Sequence, residues 1–422
     1  MAFESPILHN RLALFLFYGI IALVPYYRIR HMAYAMPLDW YLTIFSLFFA
    51  AMHFVFIRQI PPFMKNRLNR FLILFFTLNI IASLFSPYPA QALDGMMTLT
   101  LGYTFIYLNL IFISRRGFTT LLPFTLTTSI VLNALFASLG YFAGVEYFNQ
   151  LGRSRVFGFT IGANNMALMG IFLMPILAHF ITTTKRVSLV VFFSALFLID
   201  IAGIISSASR GGTLVMIMMF FGICFEYRHR FHPRYLGLII GLAMMSTLLA
   251  VSAIPDSYFE RQKTLVSGPR DKSLNRRADY IRVAIDSIFQ HPVMGTGADT
   301  FKQVWYDSLI RRKYKFEVRP AHNTYLEVSV ATGLVGLGVF LAMLFQGFRD
   351  FSLAKQQLLD TGQEEMASLV AAYRLSFLCI LAYFFLKSGL DHKFYLLILP
   401  LSQVAYHIAF QPDAQQSEYV TE

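Results

Sequence analysis

Val187–Ile205 reads VSLVVFFSALFLIDIAGII, a run in which Asp200 is the only ionisable residue. A helix crosses the hydrocarbon core of a bilayer in about 20 such residues, so this stretch predicts a membrane span. Comparable runs lie on both sides of it, near 11–27, 37–57, 68–86, 94–113, 119–143, 158–181, 211–227, 235–254, 323–348, 367–388 and 391–410, which brings the expected number of spans to twelve. The whole chain agrees with that reading. It has 422 residues, 56% of them hydrophobic and 14% charged, against about 25% charged in a soluble domain. Length alone would predict two or three soluble domains, and hydropathy overrides it. Cys224 and Cys379 both sit inside apolar runs, which excludes a secreted disulfide scaffold. A disordered or coiled-coil chain is excluded by the same composition. The first run has no small-x-small cleavage site after it, since Val24-Pro25-Tyr26-Tyr27 follows, so it reads as a retained helix and not as a signal peptide.

Positive charges orient the spans, because short cytoplasmic loops are enriched in Lys and Arg. With the N-terminus in the cytoplasm, inward loops hold fifteen Lys and Arg and short outward loops hold seven. Both termini are then cytoplasmic. The remaining thirteen lie in one outward segment, 255–321, too long to vote on topology. The expected organisation is spans one to nine over 1–254, a loop domain over 255–321, spans ten to twelve over 322–411 and a cytoplasmic tail over 412–422.

Inside the outward segment, residues 273–290 (SLNRRADYIRVAIDSIFQ) predict an amphipathic helix. Ile281, Ala284, Ile285 and Ile288 follow the i, i+3, i+4, i+7 pattern, and extending that stripe back four residues reaches Arg277, with Arg276 about 100° away. His291-Pro292 ends the helix, and Gly295-Thr296-Gly297 predicts a flexible turn. A lone G-x-G is a weak phosphate-loop signal. The basic run 311–319 (RRKYKFEVR) suits anionic headgroups better than nucleic acid beside a bilayer.

Pro320-Ala321-His322-Asn323-Thr324-Tyr325 then opens the tenth span. Asn323 or Thr324 can cap it, which puts His322 at a helix N-terminus, where the dipole disfavours the imidazolium. A neutral imidazole can act as a general base; the plainer reading is an interfacial histidine without chemistry. Arg210 sits in a short loop, Ser206-Ser207-Ala208-Ser209-Arg210-Gly211-Gly212, close to the hydrocarbon, where an ionisable group is costly. Arg153 and Arg155 flank another re-entry ahead of Asn164-Asn165, asparagines that can also serve as helix–helix glue. Arg155, Arg210, Arg277 and His322 thus map to one side of the membrane. Convergent guanidinium groups suit a multiply charged anion, whose oxygens they bind bidentately. A polyprenyl diphosphate matches both the charge and the apolar surroundings. The sequence has no D-x-D on the outward side, no H-E-x-x-H and no Cys/His cluster, so no metal site and no cofactor is expected. No pair of broken-helix repeats marks it as a secondary transporter.

These stretches resemble bacterial O-antigen ligases, within the family that shares the O-antigen ligase/polymerase C-terminal domain. The resemblance rests on Arg155-x-x-Gly158 with Asn164-x-x-Ala167, on Ser209-Arg210-Gly211-Gly212, on Arg277 through His291-Pro292-x-x-Gly295-x-Gly297-x-x-x-Phe301, and on His322-Asn323-x-Tyr325-Leu326 with Gly333-Leu334-x-Gly336-Leu337. The family usually carries an aromatic four residues after its loop arginine, where Ile281 follows Arg277; the doubled Arg276-Arg277 leaves two counterparts. The family's Asn-Pro-Asn is replaced by Gly162-Ala163-Asn164.

The resemblance implies an all-α, polytopic integral membrane protein with about twelve spans and one large periplasmic helical loop, GT-C-like in kind. It implies a metal-independent, inverting glycosyltransferase of the Gram-negative inner membrane with a periplasmic active site. The donor would be O-antigen on undecaprenyl diphosphate and the acceptor a sugar hydroxyl of lipid A–core, with membrane lipids as the other partner and no nucleic acid. His322 would be the catalytic base, Arg210, Arg277 and Arg155 would bind diphosphate, and Asn323, Arg153, Arg276, Tyr325 and Asn164 would support them. An O-antigen polymerase or a protein O-glycosyltransferase on the same scaffold, or a lipid-linked-glycan transporter without chemistry, remain alternatives.

Overall fold

The computed structural model describes residues 11–26, 66–142, 156–160, 162–230, 272–314, 319–390 and 392–410, together with positions 44, 47, 48 and 51. Its elements are helices: α1 (Arg11–Leu23), α2 (Arg67–Leu84), α3 (Pro89–Phe112), a π-helical turn (Gly117–Leu121) leading into α4 (Leu122–Phe142), α5 (Ala163–Thr183), α6 (Val187–Ser206) and α7 (Arg210–Tyr227). From residue 272 onward come α8 (Lys272–Gln290), α9 (Phe301–Asp307), a 3-10 turn (Leu309–Tyr314), α10 (Thr324–Asp360), α11 (Glu364–Phe384) and α12 (Lys393–Phe410). Among the described residues nine helices are long and apolar enough to cross a membrane: α2 to α7 and α10 to α12. The chain is a multi-pass membrane protein. Span 37–57 apart from positions 44, 47, 48 and 51, span 235–254, and the first part of the loop domain lie outside the described residues. The first run forms a helix of 13 residues that stops at Leu23 and not at 27; Val24 and Pro25 form a turn after it.

In lipid every backbone polar group must be satisfied inside the protein, which is why the spans are helical. Their polar side chains obey the same rule. Asn79 Nδ2 donates to Phe75 O at 2.8 Å and Asn109 Nδ2 to Phe105 O at 2.7 Å, each one turn back along its own helix.

The chain divides into two compact units. One comprises Met1–Val24, Ala33–Thr125 and Lys272–Glu422. At its centre α10 packs on α2, α11 and α12, and α12 packs on α3. Phe340 of α10 is fully buried. It gathers Phe75, Tyr325, Phe384 and Tyr395 at ring-centroid distances of 5.4, 6.2, 6.0 and 6.4 Å, binding four segments into one aromatic core. The other unit comprises Pro25–Met32 and Leu126–Asp271. In it α5 packs along α6 and α7 and is buried over most of its length.

The tenth span differs from its expected form in two ways. It runs to Asp360, twelve residues past 348, and it is broken at Gly333, where φ is 66° and ψ is −170°. Such a conformation is open to glycine and strained for any residue with a Cβ. The break frees backbone groups that a membrane helix cannot leave unsatisfied. The 292–297 turn takes them up: Thr296 N–H donates to Val330 O at 2.8 Å, Gly297 N–H to Ala331 O at 2.9 Å, and Leu334 N–H to Pro292 O at 2.8 Å. Gly295, itself at φ 70°, lies against the Ala331 backbone where a Cβ would overlap it. The α2–α3 connection holds the same turn from the other side: the Ser86 hydroxyl donates to Thr296 O, and Ala298 N–H donates to Ser83 Oγ at 3.1 Å. The G-x-G turn is therefore a plug docked into a broken span, neither a flexible turn nor a phosphate loop.

Candidate functional site

Helix α8 forms where the amphipathic pattern predicts it and ends, as expected, at Gln290 before His291-Pro292. Its buried face is rotated from the predicted one. Tyr280, Val283, Ala284 and Ser287 are buried, whereas Ile281 and Ile285 are exposed. Tyr280, Val283 and Ala284 join Phe301, Trp305, Ala321 and Val330 in one hydrophobic cluster, with the Tyr280 and Trp305 rings 4.6 Å apart and edge-on. The buried stripe therefore extends back to Arg276 and Arg277 alike, at four and three residues before Tyr280. Both are half-buried, so the phase of the Ile281 stripe does not separate them. Tyr280 is also the aromatic four residues after Arg276, in the place that Ile281 leaves unfilled after Arg277.

Around α8, Arg311 and Tyr314 of the basic run 311–319 make contacts within the protein, while residues 315–318 lie outside the described residues. The Arg276 guanidinium lies 4.9 Å from the Tyr314 ring centroid, and the Arg311 guanidinium 3.8 Å from that of Tyr306. The Tyr314 hydroxyl donates to Asp279 Oδ2 at 2.7 Å. Burial and that hydrogen bond push the Tyr314 phenol up to about 12, so it remains a donor.

His322 stands where α10 begins. Asn323 is the cap: its Oδ1 accepts from Leu326 N–H at 3.1 Å. His322 has φ 54°, a left-handed conformation uncommon for a residue with a Cβ. Three contacts hold it. Its own N–H donates to Ser388 Oγ at 3.1 Å, the Ser388 hydroxyl donates to Glu327 Oε1, and Ala321 N–H donates to the same Glu327 oxygen at 2.8 Å. Thr324 Oγ1 donates to Lys387 O at 2.8 Å, and Tyr325 OH to Leu381 O at 3.0 Å, so the end of α11 is fastened to the start of α10. The Tyr280 ring faces the imidazole at 6.0 Å.

The imidazole is lowered to about 4, first by burial and then by the positive charges of Arg277, Arg319, Lys387 and Arg276, in that order. It is neutral, as its place at a helix start predicts, with burial and cations as the dominant causes. Arg277 bears on it more strongly than Arg276. The result is a neutral imidazole on which four positive side chains bear, with Glu327 already engaged by two hydrogen bonds. That donor set suits a multiply charged anion beside a base.

The structure thus joins His322, Asn323, Tyr325, Arg277 and Arg276 in one unit and adds Arg319, Lys387, Ser388 and Glu327, none of which was singled out from the sequence. Arg319 had a signal, since it ends the basic run three residues before His322. Lys387 and Ser388 had none, being more than 60 residues downstream. Arg210 and Asn164 belong to the other unit. There Arg210 is the first residue of α7, and its neighbour Ser209 caps the helix by accepting from Gly212 N–H at 3.1 Å. The Ser209 hydroxyl donates to Asn164 Oδ1 at 2.9 Å, so Asn164 ties α5 to the start of α7. Ala208 before the cap has φ 45°. Arg153 and Arg155 lie outside the described residues.

Residues 193–341 match the model of the O-antigen ligase family. The matched stretch runs from within α6 through α7, α8 and α9 to just past the break in α10, and contains Arg210, Arg276, Arg277, His322 and Glu327. No curated protein matches the chain.

Proposed function

From a ligase-family domain that begins in α6 and ends in α10, we propose that this membrane protein is an O-antigen ligase. It transfers the glycan from undecaprenyl diphosphate to a sugar hydroxyl of lipid A–core on the periplasmic side of the inner membrane. The observation that carries this reading is the uncharged, half-buried imidazole of His322, on which the charges of Arg277, Arg319, Lys387 and Arg276 bear.

In this reading the acceptor hydroxyl gives its proton to His322 as its oxygen attacks the anomeric carbon. The bond from that carbon to the diphosphate oxygen breaks, and its electron pair leaves with undecaprenyl diphosphate. Displacement in one step inverts the carbon. Charge grows on the departing diphosphate, and positioned cations stabilise it most where water is excluded. Arg277, with Arg319, Lys387 and Arg276 near the same imidazole, supplies those cations. Arg210 and Arg155 take the same role on the chemistry of their side chains and on the family resemblance. No protonating acid is required, because diphosphate is already a good leaving group, and the cations take the place a metal would fill.

An imidazole held at about 4, first by burial and then by the neighbouring cations, is a weak base. A bound diphosphate brings negative charge to those cations and so raises the basicity of His322, while the effect of burial remains. The reaction is thereby coupled to occupancy of the site.

The test is reconstitution. Purified protein, undecaprenyl-diphosphate-linked glycan and lipid A–core should yield the joined product in the presence of a metal chelator. Product extended on another lipid-linked repeat would assign a polymerase, product on Ser or Thr a protein glycosyltransferase, and no product with intact donor binding a carrier.

A further inference from the structure

Ile281, Ile285 and Phe289 are displaced from the core of α8, yet they are not scattered. They stand at four, eight and twelve residues after Arg277 and so form one i±4 ridge of the helix. All three are exposed, Phe289 at 81%. The ridge continues past the helix end to Val293, also exposed. There the chain is fixed to α10 by the hydrogen bond from Leu334 N–H to Pro292 O, and Leu334 and Val335 are exposed on that span. Exposed apolar residues of a span face hydrocarbon. An unbroken apolar path therefore leads from the membrane-facing side of α10 to Arg277, about 18 Å along α8 at 1.5 Å per residue.

The path is one side chain wide. The neighbouring ridge on one flank is Arg282, Asp286 and Gln290, all exposed, and on the other flank is the buried face with Tyr280 and Ala284. A helix that sinks into the acyl layer presents an apolar face of about 100° or more, free of charges. A single ridge edged by a charged one fits a single hydrocarbon chain instead. At its upper end are the cations that surround His322, which complement the charge of a diphosphate.

We propose that the ridge Ile281–Ile285–Phe289–Val293 seats the hydrocarbon tail of a long-chain polyprenyl diphosphate, guiding it from the lipid-facing surface of α10 to Arg277. This rests on the reading that the protein takes a polyprenyl-diphosphate donor.

The experiment uses the full-length protein in nanodiscs, with binding of undecaprenyl diphosphate and of farnesyl diphosphate measured for wild type, for Ile285→Gln with Phe289→Gln, and for Leu309→Gln, an exposed apolar control off the ridge. The double variant should lose tenfold or more in affinity for undecaprenyl diphosphate, since one large apolar side chain contributes about that factor when covered. Its affinity for farnesyl diphosphate, and both affinities of Leu309→Gln, should stay within about twofold of wild type. A photoreactive group in the distal tail should attach to residues 281–294. Unchanged long-chain affinity, or equal loss for both chain lengths, overturns the tail seat while leaving the donor reading intact. Failure of wild-type protein to bind either diphosphate overturns both.

Discussion

The backbone N–H of His322 donates to the hydroxyl oxygen of Ser388 at 3.1 Å, joining residues 66 positions apart. The same hydroxyl donates to Glu327, which also takes Ala321 N–H. A histidine at φ 54° is thus held by its backbone. An amide oxygen can accept both of those bonds and a methyl group can accept neither. Glu327→Gln should therefore keep transfer within about threefold of wild type. Glu327→Ala should lose on the order of 100-fold in kcat with KM little changed, the scale of a misplaced catalytic group. Steady-state kinetics in nanodiscs separates the two. Equal activity of Glu327→Ala and wild type would remove Glu327 from any role in placing His322.

For His322 the sign of the pH effect follows from a folded-state pKa below the ordinary 6.5. The neutral form persists as pH falls and is lost only as pH passes through about 4. Because kcat/KM reports the free protein, it should stay level from neutral pH down until that value is approached. Arg277→Gln removes the largest charge contribution, so the fall should move upward toward 6.5, although burial keeps it from reaching that value. Between about 4 and 6.5 the unfolded chain binds a proton that the folded chain does not, so this residue makes the fold less stable as pH drops across that window. His322→Gln should abolish the pH step and nearly all transfer. A wild-type profile that falls near 6.5 would contradict the half-buried imidazole under the influence of neighbouring cations.

Arg276 and Arg277 share the edge of the buried face of α8, but Arg277 bears more strongly on the imidazole, whereas Arg276 stacks over Tyr314. Arg277→Ala should cost on the order of 100-fold or more in kcat, as does the loss of one charge-stabilising donor. Arg276→Ala should cost less in kcat and more in stability, because it uncovers the Tyr314 ring. Paired measurements of turnover and thermal unfolding would show this crossing pattern. Equal losses in both measurements would mean that the two arginines are interchangeable.

Gly333 admits no side chain without strain, and a Cβ there would overlap the Val293 carbonyl. Gly333→Ala should destabilise the fold by about 1–3 kcal/mol for the backbone conformation alone, with the overlap adding to it. The loss should appear as a lower unfolding temperature and as faster hydrogen exchange at Thr296 and Gly297, whose amides bond to α10 beside the break. Exchange confined to residues 330–334 would show that the turn holds without the break.

Nine of the twelve expected spans are met among the described residues, because hydropathy alone decides them, and α2 to α7, α11 and α12 lie within about five residues of their expected starts. The end of α8 was legible from His291-Pro292, and the capping role of Asn323 from its residue type. The buried face of α8 was not. Its apolar residues occupy two adjacent ridges, and periodicity identifies an apolar stripe without saying what lies opposite it. Tyr280 and Val283 meet Phe301, Trp305 and Ala321, and that aromatic density exists only after α9 has folded back. The break at Gly333 left a glycine inside an apolar helix as its sole trace, and the G-x-G turn that fills it looked like a separate feature. Glu327, Ser388 and Lys387 were invisible for a simpler reason. Ser388 and Lys387 reach His322 only through the return of α11, a relation between distant segments, and Glu327, one turn into α10, is engaged through Ser388 and Ala321 N–H.

The hydrogen bonds that close the break in α10 run between main-chain atoms, so their partners depend on the glycines that let the two backbones approach and not on the chemistry of other side chains. They anchor the C-terminal end of α8 to α10, while the buried cluster that includes Tyr280 and Val330 fixes its middle. Ile281, Ile285 and Phe289 take part in neither hold, so the exposed ridge of α8 is open to substitution without loosening the helix from the span beneath it.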